Sequence, residues 1–396
     1  MGIGDSRTPS FTKVMGFALL YPSTQFMRFF LPIPIRRIKS SLLLLTMTSL
    51  INGCYSFGPD ALKGTQPLYN AAIVDSQNEQ FIQNIVRLHY RDPVFFLDVV
   101  SVTASLKMDL SAGLDQSAFD LKSGGADLLQ FSAGGAYSTS PTIAYAPLQG
   151  EGFVKSVLKP IALEDLLALT GSGWSNRRVL GLCVERMNDI KNVPIASGPT
   201  PKLSPQHIDS FNRLLQLFDV VMGEDLIIPR TNPVTKEIQL EIKSSPVYQN
   251  EIREIKQLLG LDQNLEIYHV NSDFLQHKGD TISIRSRSLM SVFFYLSHNI
   301  DTPKEHKEAG LVTVTRNKDG SEFDWNKTAG GGLFHIRQSW MKPDLAFVSI
   351  PYRGQWFYVA DNDLESKSTF MLLTQLFRLQ AGSAKAAGPT LTLPVR

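Results

Sequence analysis

The sequence predicts an α+β fold: small antiparallel sheets with helices packed against them, placed behind an N-terminal segment of different character. Three observations carry that prediction. Runs rich in β-branched and aromatic residues are joined by glycine-rich turns; helical stretches of 3.6-residue periodicity stand apart from them; and no internal repeat or heptad run points to a solenoid or coiled coil. With 396 residues, 43% of them hydrophobic and 19% charged, the chain can bury one large core or two modest ones. Basic and acidic residues nearly balance, 39 against 37, so nothing favours nucleic acid as a partner, and two cysteines exclude a disulfide scaffold or a cysteine-rich cluster.

Residues 55–65 carry Gly, Pro and Ser and read as a tether. From Gln66 to His89 the pattern is helical, with Phe81, Ile82, Ile85 and Val86 as the apolar stripe and Asp92-Pro93 as the stop. Residues 94–103 read as a strand, and 111–145, with Gly124-Gly125 and Gly134-Gly135, as further short strands joined by glycine turns. Helices are expected over 151–170 and 176–190, and the prolines at 194, 199, 201 and 205 mark a subdomain boundary. Ser204-Pro205 has the cap-and-first-turn order of a helix start, and Ile208, Phe211, Leu215 and Phe218 follow at helical spacing. Short strands at 227–228, 238–242 and 265–268 flank a helix over 247–259, and Ser288 caps a helix bearing Leu289, Val292, Phe293 and Leu296. Residues 344–350 and 355–360 flank Tyr352-Arg353-Gly354 as a hairpin, and a helix opens at Asp363 and ends at Gly382.

The predicted organisation is therefore a leader over 1–53, a tether over 54–65, α+β subdomains over 66–193 and 206–382, and a tail over 383–396. Within the leader, Arg28, Arg36, Arg37 and Lys39 precede an apolar run from Ser40 to Ile51, closed by Asn52-Gly53-Cys54. Basic flank, short apolar core and small residues before a cleavage point are the order of a secretory signal, and twelve residues fall short of the about 20 that a membrane-spanning helix needs. Met27 begins a signal of ordinary length, so Met1–Phe26 reads as an extended leader or an early start.

Leu50-Ile51-Asn52-Gly53-Cys54 resembles the lipobox of bacterial lipoproteins. That resemblance implies cleavage after Gly53, acylation of Cys54 with a diacylglyceryl group and a further palmitate-like chain, and lodging in a membrane; Tyr55 in place of an aspartate implies the periplasmic face of the outer membrane. Two or more acyl chains make such anchoring stable where one is marginal. Without residues 1–53 the chain keeps 33 basic and 36 acidic residues, a formal charge of −3, and Cys183 as its one thiol besides Cys54.

Three further groups of residues resemble a set of bacterial envelope lipoproteins for which no activity is established. They are Tyr69-Asn70 with Asn84–Leu88 and Asp92-Pro93; Ser140-Pro141-Thr142 with Pro147–Gly150; and Tyr352–Tyr358 with Ser366-Lys367. The resemblance implies a lipoprotein and supplies no mechanism.

The chemistry-bearing motifs are incomplete. The seven histidines, at 89, 207, 269, 277, 298, 306 and 335, have no metal-ligand spacing, and no cofactor is expected. Ser156-Val157-Leu158-Lys159 has SxxK spacing without the companion motifs of an acyl-serine enzyme. Gly330-Gly331-Gly332 lacks a phosphate loop's Lys-Ser/Thr and reads as a flexible connection, and Cys183 reads as a small core residue. Arg353, Trp356, Tyr358 and Asp361 gather the residue types of binding hot spots on the C-terminal hairpin. The function expected is a lipid-anchored structural or assembly component of an envelope complex, such as a secretion apparatus, with envelope proteins as partners. The alternatives are a periplasmic hydrolase or cell-wall enzyme with a dispersed site, and a carrier of a small apolar ligand.

Overall fold

The computed structural model describes residues 57–114, 131–235, 237–274, 279–381 and 391–394, with only the backbone described for 57–66, 103–114, 131–141, 381 and 391–394. The chain divides into two units, Met1–Leu68 and Tyr69–Arg396. Helix α1, Phe57–His89, takes in most of the expected tether. Pro59 falls in its first turn, where a missing N–H costs nothing, and Ala61-Leu62-Lys63 are good helix formers.

The expected α+β class holds. A long antiparallel hairpin of β1, Phe96–Leu114, and β2, Phe131–Leu148, is joined by β12, Leu391–Pro394. It replaces the several short strands expected there. Gly134 and Gly135 lie within β2, opposite Ser111 and Leu110, and make no turn. Next come α2, Glu151–Leu158, α3, Leu163–Gly171, and α4, Asn176–Cys183. The expected helix over 176–190 stops at Cys183, and the chain continues as β3, Val184–Met187, and β4, Ile190–Lys191, around Asn188 at φ 48°.

Helix α5, Ile208–Gly223, starts after His207, three residues beyond the expected Ser204-Pro205 opening, because Leu203 and Ser204 pair with Arg316 instead. Then follow β5, Ile227–Thr231, β6, Ile238–Ile242, α6, Gln249–Leu258, β7, Ile267–Asn271, and β8, Thr281–Ser286. Strands β3 to β8 form one sheet in the order β4-β3-β8-β7-β6-β5, antiparallel throughout except for β7 against β8. Helix α7, Leu289–Ser297, is capped as expected, the Ser288 hydroxyl accepting from Ser291 N at 3.1 Å. After α8, Lys304–Glu308, the strands β9, Arg337–Ser339, β10, Ala346–Tyr352, and β11, Gln355–Ala360, make a second small sheet in the order β10-β11-β9. Helix α9, Leu364–Ala381, opens on Asp363, whose carboxylate accepts from Ser366 N at 3.0 Å.

The proline-rich loop does not divide residues 69–396 into two cores. Phe81 of α1 stacks on Phe293 of α7 at 5.9 Å and meets Phe370 and Phe377 of α9 edge-on, and Phe96 of β1 joins the same cluster. Inside the loop, Val193 and Ala196 are buried, and Ser197 and Thr200 bond to residues about a hundred positions later.

The partner of Ser197 is Arg287, which is 1% exposed and the largest fully buried side chain. Its guanidinium donates to the carbonyls of Leu182 at 3.0 Å, Val184 at 2.9 Å, Asn192 and Val193, and lies 4.2 Å over the Tyr295 ring. The Glu185 carboxylate reaches this cation through the Ser197 hydroxyl, which donates to that carboxylate at 2.7 Å. With no carboxylate in direct contact, a buried cation is tolerable only when its donors are satisfied, and the planar fork of arginine matches this set of acceptors. Two buried histidines are likewise satisfied within the fold. His89 bonds through its ring nitrogens to Ser297 O and Thr302 Oγ1, each at 2.8 Å, and His298 to Thr200 Oγ1 at 3.2 Å and Ala196 O at 3.0 Å. Burial lowers their pKa values to about 4 and about 3.

Two outcomes follow. Arg287→Met should cost about 3–5 kcal/mol in urea unfolding, since five acceptors lose a buried charged donor, and Arg287→Lys should recover only part; exposed Arg285→Lys should stay within about 0.5 kcal/mol. Both histidines are neutral when folded and take up protons near pH 6.5 when unfolded, so stability falls as pH drops below that value and stops falling only near the folded pKa values. Between pH 7 and 5 each should contribute a loss of about 2 kcal/mol, visible as a shift of the urea midpoint that His89→Gln halves.

Candidate functional site: the C-terminal sheet

Alternation along β11 builds this site. Phe357 and Val359 turn into the core opposite Ile350 and Val348, while Trp356 and Tyr358 emerge on the other face, opposite Pro351 and Ser349 on one side and Ser339 and Arg337 on the other. The turn is the two-residue type in which both central residues have positive φ, Arg353 at 47° and Gly354 at 77°. Glycine adopts that backbone freely; Arg353 is held in it by the end of α1. Its guanidinium donates to Asp92 Oδ2 at 2.8 Å and lies 5.0 Å over the Tyr90 ring, and the Tyr352 hydroxyl donates to the same carboxylate oxygen. Those two donors, the tyrosine first, hold the Asp92 carboxyl below the usual carboxylate range.

The four candidate residues are therefore divided. Trp356 and Tyr358 share the outer face, and the Lys342 ammonium sits 5.6 Å from the Trp356 ring centroid. Arg353 is taken by Asp92, and Asp361 by Lys367, whose ammonium reaches its carboxylate at 2.7 Å and its carbonyl at 3.1 Å. Sequence reasoning missed the most exposed members of the surface. Trp340, Met341 and Leu345, in the connection from β9 to β10, are 68%, 78% and 80% exposed. The signal was legible: two large apolar residues side by side in a turn-type segment closed by Lys342-Pro343-Asp344, where nothing in the strand pattern requires them.

The other candidates have structural duties. The Ser156 hydroxyl donates to Phe153 O at 2.8 Å within its own helix, and the helix ends before Lys159, whose backbone is extended, so serine and lysine do not share a helical turn. Cys183 is fully buried, and burial pushes its thiol up to about 12. The glycine run is a packing device, contrary to the flexible connection expected. A Cβ on Gly331 would lie 1.8 Å from Trp325 O, and one on Gly330 would lie 2.7 Å from the Tyr295 ring, whose hydroxyl accepts from Gly330 N at 2.9 Å. Cys54 and Gly53 lie outside the described residues.

Between the six-stranded sheet and helices α3–α5 lies an apolar cavity of about 50 Å³, lined by Leu166, Leu180, Phe218, Met222, Leu240 and Ile282 among others. A ligand pocket usually offers roughly 300–1,000 Å³, so this one holds only a few atoms. The outer face of β9–β11, with its connecting loop, is the feature most suited to recognition, by apolar contact flanked by Lys342. Comparison of the chain with protein-family models, with curated proteins and with solved structures finds no match.

Proposed function

We propose that this protein is a lipid-anchored component of a bacterial envelope, held through acylated Cys54 at the periplasmic face of the outer membrane, and that it works by binding other proteins of an envelope assembly. One structural observation carries the binding half of this reading. Three large apolar side chains, Trp340, Met341 and Leu345, stand mostly in solvent within six residues of chain, beside a sheet face that adds Trp356 and Tyr358. Exposed apolar groups cost solubility when they serve no contact, and Trp and Tyr are the side chains that most often anchor interfaces. The anchoring half rests on the sequence around Cys54, with the basic flank, the short apolar run and the Gly-Cys junction in order.

Because Trp340 and Leu345 are exposed, Trp340→Ser with Leu345→Ser should leave thermal unfolding nearly unchanged, with stability moving by about 0.5 kcal/mol or less. The same variant should lose most in-cell photocrosslinking from a probe placed at Met341; undiminished crosslinking with an intact fold would reject this face as the contact. For the anchor, Cys54→Ser should abolish metabolic labelling with a fatty acid and release the chain from the membrane fraction. Persistent labelling would place the lipid elsewhere.

A further inference from the structure

The β1–β2 hairpin has more order in its sequence than a surface arm needs. From Val102 to Leu114 every even position of β1 is apolar, Leu106, Met108 and Leu110 among them, and every odd position is polar or glycine, including this stretch's two charges, Lys107 and Asp109. The register extends that division across most of the strand pair, the exceptions being Thr139 opposite Leu106 and Ala136 opposite Asp109. Val102 pairs with Ile143, Met108 with Tyr137 and Leu114 with Phe131, whereas Thr103 pairs with Thr142, Ser105 with Ser140 and Lys107 with Ser138.

A bulge between Val99 and Ser101 reverses the alternation. Below it, Phe96 shares a face with Ala146 and Leu148, and that face is buried in the core. Above it, the same face continues as Ser101 and Thr103, and the apolar positions pass to the opposite face. Where side chains are described, that opposite face is partly uncovered: Val100 is 53% exposed and Val102 41%, while Val99, Ile143 and Tyr145 are half-buried.

The edges are equally asymmetric. At the base, two amides one helical turn apart on α1 act as a substitute strand. Asn84 exchanges two hydrogen bonds with Phe95, at 2.8 and 3.0 Å, and Gln80 exchanges two with Leu97, at 3.0 and 2.6 Å. The match is geometric: about 6 Å for four helical residues against about 7 Å for two strand residues. Past Leu97, among the described residues, β1 pairs only with β2, and β2 meets β12 only over Thr142–Tyr145. Two edges are left that another strand can extend.

We infer that the hairpin is one stave of a membrane-spanning β-barrel built from several copies of this chain, with the β1 edge of one copy on the β2 edge of the next. In that barrel the strand face that holds the even positions of β1 would be the lipid side, and the face that holds positions 107 and 109 the lumen side. Clear of β12, eleven registered pairs remain, Ala104↔Pro141 to Leu114↔Phe131, which meet the about 9–11 residues that a tilted strand needs to cross. Strict two-residue alternation with the charges on one face is the pattern of such strands, and the smallest barrels, of about eight strands, would take about four copies. Among the described residues no helix is long and apolar enough to cross.

The test uses the full chain carrying Cys54→Ser, which makes it independent of the lipid anchor, with buried Cys183 left in place. Single cysteines at Leu106→Cys, Met108→Cys and Leu110→Cys, and at Ser105→Cys, Lys107→Cys and Asp109→Cys, receive an environment-sensitive fluorophore, and phosphatidylethanolamine–phosphatidylglycerol vesicles are added. Blue-shifted emission, quenched by a lipid-borne quencher at the first three positions and not at the second three, is expected, together with release of entrapped dye. Equal emission at both sets, or no response to vesicles, overturns the inference. Leu106→Lys with Met108→Lys should abolish dye release while thermal unfolding stays unchanged; release at the parent level from that folded variant would equally overturn it.

Discussion

The guanidinium of Arg287 is the point on which the body of the structure depends. It draws the end of α4, the start of β3, the Asn192-Val193 loop and the short turn holding Ser197 onto one planar set of donors, with the Tyr295 ring closing one side. The same network fixes Val193 at φ 45°, a conformation that a β-branched residue does not hold unaided. Asn192 extends it, donating to Gly181 O at 2.8 Å and Val184 O at 2.7 Å. An apolar residue at 287 would fill the volume and leave these carbonyls without partners in a dry interior, where each unmet group costs more than a formed bond contributes.

From this body two features point outward, and each is fastened at its root by satisfied polar groups. The long hairpin is gripped by the paired amides of Gln80 and Asn84 and by Phe96 in the aromatic cluster. The C-terminal hairpin is gripped at its turn by Asp92, which receives both Arg353 and Tyr352. Gln80 and Asn84 belong to α1, and Asp92 and Phe96 follow it within seven residues, so one short stretch of chain fastens both hairpins.

The proposed lipid anchor, the proposed docking surface and the two-faced hairpin are mutually consistent parts for an assembly at a membrane. The proposed anchor would concentrate copies in two dimensions and so favour the proposed edge-to-edge association of hairpins that are marginal as isolated two-stranded units in water. The exposed Trp340 loop lies on the other small sheet, and beyond the stretches taken by α1 and β12 the strand edges of the long hairpin are unpaired among the described residues.

The sequence alone determined what local interactions decide. Asp92-Pro93 ends α1, Ser288 caps α7 through Ser291, and alternation with a glycine in the turn makes the β10–β11 hairpin, because each rests on residues within a few positions of one another. The strict alternation from Val102 to Leu114 was equally present in the letters, although the glycines at 134 and 135 suggested turns that the register does not make. Only the tertiary structure decided the rest. Val184–Met187 leaves the helix because β8, a hundred residues later, offers it a ladder, and Gly331 must lack a side chain because Trp325 O passes within van der Waals range. Arg353 and Asp361, hot-spot types by composition, are satisfied within the fold by Asp92 and Lys367, while Trp340 is left in solvent. Burial and pairing between distant segments depend on which surfaces meet, and that information is not carried by any one stretch of chain.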